Sequence, residues 1–347
     1  MYSKIIEFDD PLWINFLNEY NHEFYQVPEY LKLEQEISGG KILAFYFKRA
    51  NSSALMPFLI KNLEYPINGY EFDSKSPYGY SGILFSKDFN IDYYKDFFSE
   101  LITLSKDLGI LTHFIRLNPI YNNQKFPLSK VIDQQMHGPT VFVDLKTSLK
   151  ELESNISSNH RRNINKLVKS DYRTVVNDWS HYEDFKDIYS ESMIRLNAKD
   201  YYRFESEYFE KLRRILGKNM LLASVVDNEN KVVSAAIFSS YNSIVQYHLG
   251  ATSSDHLDVA PSKLLFKDVI SYFKEMGAEI LHLGGGLATS EDSLFNFKKG
   301  FSKSLLEFCS LNIITDYEKY GKYNELVMKL KNSKPEDPDF FPVYRNV

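Results

Sequence analysis

Two lysines, Lys298 and Lys299, stand between aromatic residues and a glycine in the run Phe295-Asn296-Phe297-Lys298-Lys299-Gly300-Phe301. A fixed cation beside a carbonyl stabilises the oxyanion that forms when an amine attacks it. Lys298, held between Phe297 and Phe301 in a strand-to-loop turn, is therefore a candidate catalyst for amide formation; the alternative is a solvated surface charge. Just upstream, Glu291 and Asp292 offer carboxylates that could accept the proton of an attacking amine. They could equally cap the following helical turn, where acids are favoured. Before them a short apolar strand, Ile280 to Leu283, runs into Gly284, Gly285 and Gly286. Glycine lets another group approach the backbone closely, so the end of this strand is a place for a ligand to sit. His282 in that strand and His248 in another, QYHLGAT, titrate near neutrality and are candidate bases. The plainer reading of each is a hydrogen-bonded packing residue. Neither shares metal-ligand spacing with a third group, so no metal is expected.

The rest of the chain must position these groups. A length of 347 residues suggests two domains, and 44% hydrophobic residues exclude bulk disorder. A net charge of −5 argues against whole-surface binding of nucleic acid without excluding a local basic patch. The sequence MYSKIIEFDDPLW has no apolar run of signal-peptide length. No stretch reaches the roughly 18 continuous apolar residues of a membrane span. The single cysteine, Cys309, lies in the strand-like run LLEFCSLNII and reads as a core residue. A cytoplasmic protein is expected.

The elements repeat. Tyr25 to Glu36 reads as a helix entered through Pro28 and closed by Gly39-Gly40. Strands Ile42–Phe47 and Ala54–Ile60 follow, then a glycine- and tyrosine-rich loop from Ser74 to Phe85. A helix from Ile91 to Leu108 carries apolar residues at helical spacing, and a strand spans Leu111 to Leu117. The second half runs through the same order. A helix at Ser206–Leu216 leads to strands Leu221–Val226, Val232–Ser239 and Ile244–Leu249. A helix at Ser262–Met276 and a strand at Glu279–Leu283 complete it. PEYLKLEQEISGGK in the first copy echoes SEYFEKLRRILGKN in the second. A repeat of this length means two copies of one domain. The seam falls near Val143, where Ser148 and Glu151 are spaced as a capping box for a helix with an apolar stripe from Leu149 to Leu167.

GGG followed by DSLFNFKKGF resembles the carboxyl-terminal signature of the Fem-type (FemABX) aminoacyl and peptidyl transferases, within the GNAT N-acyltransferase superfamily. Helix, antiparallel meander, helix, strand is also the GNAT element order. The implied fold is α/β (α+β). It has two tandem GNAT-like domains, residues 1–143 and 144–347, each a mixed, mainly antiparallel sheet flanked by helices. The resemblance implies a catalytic or donor-binding role for Lys298. It implies a substrate diphosphate contact for Arg203, whose alternative is an ion pair with Glu205 or Glu207. Tyr208 and Tyr247 would line the same groove or fill core. Tyr78, in a loop with Gly79, Tyr80 and Gly82, would cover substrate or simply turn. His160-Arg161-Arg162-Asn163-Ile164 resembles the RRNI-type stretch of these transferases, read as a phosphate contact or a solvated helix face.

The resemblance implies transfer of an aminoacyl group, with aminoacyl-tRNA as donor, to an amine of a cell-envelope or peptidoglycan precursor. No bound cofactor is expected. The loop from Ser253 to Phe266 lacks the glycines that cradle the pyrophosphate of coenzyme A in ordinary GNAT enzymes. Acetyl-CoA is thereby disfavoured, although an acyl-CoA-dependent enzyme acting on an amino sugar is the alternative. Glu34 stands near the place where Fem-type enzymes tend to carry a lysine, which leaves the acceptor open.

Overall fold

The computed structural model describes residues 1–122, 125–198, 203–287 and 291–347. The chain divides into two compact units, one formed by Met1–His137 with Glu307–Val347, the other by Gly138–Leu306.

The first unit begins with β1 (Tyr2–Ile6), α1 (Pro11–Glu19) and α2 (Pro28–Ser38). It continues through β2 (Lys41–Arg49), β3 (Ser52–Ile67), β4 (Tyr70–Lys75), β5 (Leu84–Phe85), α3 (Tyr94–Asp107) and β6 (Ile110–Arg116). Asp10 caps α1 by accepting from the Leu12 N–H at 3.0 Å, and prolines open both α1 and α2, where a missing N–H costs nothing. Residues 42–47 of β2 are all buried, as in a strand covered on both faces. Helix α3 buries Tyr94, Phe97, Phe98 and Leu101, which share one face at helical spacing, against Phe45, Phe47 and Phe58.

Strand β7 (Ile132–Asp144) crosses into the second unit. There follow α4 (Leu149–Asn155), α5 (Ser158–Lys169), β8 (Arg173–Val176), α6 (Tyr182–Arg195), α7 (Ser206–Leu216), β9 (Met220–Val226) and β10 (Val232–Tyr241). Then come β11 (Ile244–Thr252), α8 (Ser262–Glu275), β12 (Ile280–Gly284) and α9 (Ser293–Lys299). In this unit's core α8 packs Leu265, Phe266, Val269 and Phe273 together with Phe238, Val245 and Leu281. The chain closes with β13 (Leu305–Ile314) and α10 (Tyr317–Lys331) in the first unit, where Tyr323 and Tyr344 pack around Leu63 and Leu111.

Apart from the short β5, which pairs with β3 and has no counterpart, the strands of the two units repeat in the expected way. The first unit orders its strands β1-β2-β3-β4-β6-β13, and the second β8-β9-β10-β11-β12-β7. In each, one pair is parallel: β4 with β6, and β11 with β12. In each, the sixth strand runs antiparallel to the fifth: β13 to β6, and β7 to β12. These are two tandem GNAT-like units.

Three sequence expectations need correction. The seam at Val143 moves to Gly138, because Val141 to Asp144 pair with Ile280 to Gly284 of the second unit. The second domain does not run to the chain end either, because Ser310 to Ile314 pair with Thr112 to Arg116 of the first. The helix expected from Ser148 through Leu167 is two helices. Ile156 is extended, and Ser157 restarts the helix by accepting from the His160 N–H.

Candidate active site

Strands β11 and β12 pair in parallel at Ile244–Gln246 against Ile280–His282. Among the described residues the ladder goes no further, although β11 continues to Thr252. The two strands part just where the glycines begin. Ligands of open α/β sheets favour such crevices at carboxyl ends of parallel strands. Gly284 takes φ +76°, a left-handed turn that glycine adopts without strain. Gly285 and Gly286 follow, and their carbonyls and amides are free of side-chain cover from their own residues.

The Lys298 side chain reaches this turn. It does not lie in a strand-to-loop turn, as expected, but in the last turn of the short helix α9. It is 6% exposed, and its Nζ donates to the Gly285 carbonyl at 2.7 Å. The same ammonium lies 5.6 Å from the centre of the Tyr247 ring on β11. Burial pushes the group down to about 8, with the Asp292 carboxylate pulling the other way. At neutral pH Lys298 therefore remains mostly an ammonium. Of its three donors, one has a partner among the described residues. Lys299 points elsewhere, exposed and 5.5 Å from the Phe295 ring.

Asp292 was a candidate proton acceptor. In the structure it is the N-cap of α9: its Oδ1 accepts from the Phe295 N–H and its Oδ2 from the Leu287 N–H, both at 2.8 Å. Burial acts to raise its carboxyl, but backbone donors at Phe295, Leu287 and Leu294, with Lys298, outweigh it and hold it below the usual range. A carboxylate held this way is a poor base. Glu291 is exposed beside it. The segment 288–290, between the glycines and the DSLFNFKKGF run, lies outside the described residues.

His282 is also corrected as a base. It is fully buried, its Nδ1–H donates to Gln246 Oε1 at 2.8 Å, and its Nε2 lies 2.9 Å from Thr140 Oγ1. Burial, then the Lys298 charge, push it down to about 3, so it stays neutral. It ties β11, β12 and β7 together under the turn. His248 is likewise buried and pushed down to about 3 by desolvation, and its Nε2 is hydrogen-bonded to the Tyr208 hydroxyl at 2.9 Å. Tyr208 thus belongs to a buried pair. Arg203 is exposed and donates to the Ala198 carbonyl at 2.9 Å. Tyr78 lies in the first unit, where its N–H donates to Glu34 Oε2 at 3.3 Å.

Tyr247 and Phe297 do border open space. A pocket of about 250 Å³ is lined by Ala235 and Ala236 of β10, Tyr247, Gly250 and Ala251 of β11, Leu265 and Phe266 of α8, and Leu294 and Phe297 of α9. Its polar side is made by Ser192 and Arg195 of α6, Thr252, and Ser262 at the start of α8. Burial pushes the Tyr247 phenol up to about 12, so it remains a proton donor at neutral pH.

Sequence reasoning missed the residues that hold this arrangement. His160 Nε2–H donates to the Phe297 carbonyl at 2.8 Å, and its ring packs 4.6 Å from that of Phe301. A Cβ on Gly300 would fall 2.3 Å from His160 Nε2, so the glycine of FKKGF makes room for the histidine of HRRNI. Arg161, next to it, donates to the carbonyls of Glu153, Ser154 and Ile156 and so caps the end of α4. Gln246, Thr140 and Arg195 carry no motif that would have marked them.

No protein-family model matches the chain, and no curated protein matches it in sequence. Solved structures do match its fold. FemX aligns with a TM-score of 0.65 at 14% identity, over 93% of this chain and 99% of that one. L-PGS from Bacillus licheniformis aligns at 0.56 and 14% identity, over 94% and 98%. The C-terminal domain of a putative lysylphosphatidylglycerol synthetase from Agrobacterium fabrum aligns at 0.52 and 12% identity, over 88% and 93%. At such identities the likeness is one of fold, and it covers both units. The Fem-type fold implied by the motif is the fold of this chain.

Proposed function

We propose that the protein is an N-acyltransferase that moves an aminoacyl group from aminoacyl-tRNA to an amine of a cell-envelope precursor, in the cytoplasm. The observation that carries this is the buried Lys298 ammonium, fixed on the Gly285 carbonyl where β11 and β12 separate. An amine nitrogen attacks the acyl carbon of the ester, the C–O bond to the donor breaks, and the amine proton leaves with the donor oxygen. Negative charge passes through the carbonyl oxygen. The remaining donors of Lys298, a buried side chain held on the Gly285 carbonyl, are preorganised for it. Tyr247, protonated at neutral pH, supplies a hydroxyl donor beside the pocket. The fold shared with FemX supports the donor class, and the absence of glycines between Ser253 and Phe266 disfavours coenzyme A.

One observation favours a second reading, an acyl-CoA donor and an amino-sugar acceptor. The pocket includes Ser262 at the amino end of α8, whose first turn carries no acid and no side-chain cap, together with Arg195. Helix amino termini attract phosphates. Calorimetry with coenzyme A, and product analysis with charged tRNA and amine acceptors, decides between them. Phosphatidylglycerol, a hydroxyl acceptor, belongs beside the amines as a contrast, given the name of one protein of this fold; an ester formed on it and no amide on any amine would overturn the amine acceptor. Turnover only with charged tRNA supports the first reading; tight coenzyme A binding with turnover of acyl-CoA replaces it with the second.

A further inference from the structure

A second cavity, about 320 Å³, lies in the second unit away from Lys298. It is lined by Asn177, Trp179, Arg213, Gly217, Lys218 and Met220. Met220 begins β9 and pairs with Ser239, whereas the pocket beside Tyr247 uses the other end of β10, Ser234 to Ala236. The cavity is at the small end of the roughly 300–1,000 Å³ range of ligand pockets.

Its chemistry is unusual for a surface depression. The Arg213 guanidinium lies 4.2 Å from the centre of the Trp179 ring and 5.2 Å from that of Tyr182. Stacking fixes its plane while its N–H edge keeps its donors. Among the described residues neither Arg213 nor Lys218 has a carboxylate within ion-pair distance, although nearby Lys186 has two, Glu183 and Glu210. Cations in the last turn of α7 are favoured by the helix dipole. The dipole does not explain why one of them is stacked on an indole inside a cavity. Asn177 is committed to the scaffold, since its Oδ1 accepts from the Leu222 N–H and its Nδ2 donates to the Tyr272 hydroxyl, both at 3.3 Å. Met220 is buried and only floors the cavity, so the groups left to meet a ligand are an indole, a guanidinium and an ammonium. They suit a flat aromatic ring joined to a phosphate.

We propose that this cavity binds a nucleoside monophosphate unit, either as a free nucleotide or as one residue of an RNA strand. The base lies against the Trp179 indole, and the phosphate meets Arg213 and Lys218. Base stacking on an aromatic side chain and bidentate binding of phosphate by arginine are the interactions such a ligand offers. The site is argued from this cavity and not from acyl transfer; an RNA ligand would make it a contact for the tRNA donor proposed above, and the binding titration that tests it does not depend on turnover.

The chain has two tryptophans, and Trp13 is fully buried, so ligand quenching of indole fluorescence reports Trp179. The full chain is titrated with AMP, adenosine, inorganic phosphate and a short single-stranded oligoribonucleotide. Saturable quenching by AMP, with adenosine and phosphate each weaker, is expected. Arg213→Gln and Lys218→Gln should each weaken AMP about tenfold, the size of one charge-assisted contact, with circular dichroism unchanged. Calorimetry with Trp179→Phe separates lost affinity from lost signal. An oligoribonucleotide that binds more tightly than AMP, with strong salt dependence, identifies the RNA source; a preference for AMP identifies the free nucleotide. No saturable binding of AMP or oligonucleotide, phosphate binding as well as AMP, or affinity unchanged in Arg213→Gln overturns the proposal.

Discussion

His160 Nε2 stands where a side chain at Gly300 would have to go, 2.3 Å from the position of its Cβ, and the same nitrogen holds the Phe297 carbonyl. A residue of α5 thus fixes the helix that carries Lys298. Gly300 has an ordinary helical backbone, φ −65° and ψ −11°, so alanine there is excluded by contact and not by conformation. Gly300→Ala should destabilise the protein by about 1–3 kcal/mol, the usual cost of overpacking. The melting temperature measures it. The pair Gly300→Ala with His160→Ala should recover part of that loss; a double variant less stable than the two losses added would argue against the contact.

Lys298→Met keeps an apolar stem and removes the charge. Turnover should fall about 10²- to 10³-fold, the typical effect of losing one preorganised donor. Stability should hold or rise, because a buried charge is removed. Lys299→Met, at an exposed position, should cost far less. Steady-state rates at saturating donor and acceptor make the comparison, and equal rates for Lys298→Met and wild type remove Lys298 from the mechanism.

The lowered Lys298 gives a signed pH dependence. The ammonium is present below about pH 8, so a rate that needs it falls as pH rises through that value. A rate that rises through pH 8 would instead make Lys298 a base. Stability moves the other way. The folded group is held below its ordinary 10.5, so folding disfavours its charged form, and that cost fades between about pH 8 and 10.5. Melting temperatures of wild type and Lys298→Met should converge across that interval.

Asp292 should behave as a cap. Asparagine is an equally good N-cap, so Asp292→Asn should keep the fold and most of the rate. Asp292→Ala should lose about 1 kcal/mol of stability. A rate loss in Asp292→Asn as large as that in Lys298→Met would restore the carboxylate to a chemical role.

The repeat was legible because each copy writes its helices and meander locally. The spacing of Tyr94, Phe97, Phe98 and Leu101 marks α3, and that of Leu265, Phe266, Val269 and Phe273 marks α8. Helix α6 went unread, and so did the pairing of β7 with β12 and of β13 with β6, because partners such as Val143 and Leu281 are joined by register and not by periodicity. At the site, Lys298 and the glycines were marked by composition. Whether Asp292 or His282 could act as a base depends on backbone donors and burial that single positions do not reveal. His160 was hidden inside a charged cluster whose overall look is that of a solvated face.

The return of β13 to the first unit reverses the usual order of assembly. Domains generally complete themselves from the amino terminus as synthesis proceeds. Here Gly138–Leu306 is continuous and holds all six of its strands before β13 has emerged in full. The amino-terminal unit, begun first, must wait with one edge of β6 unpaired until Ser310 to Ile314 leave the ribosome. The older half of the nascent chain is thus the younger half of the folded protein.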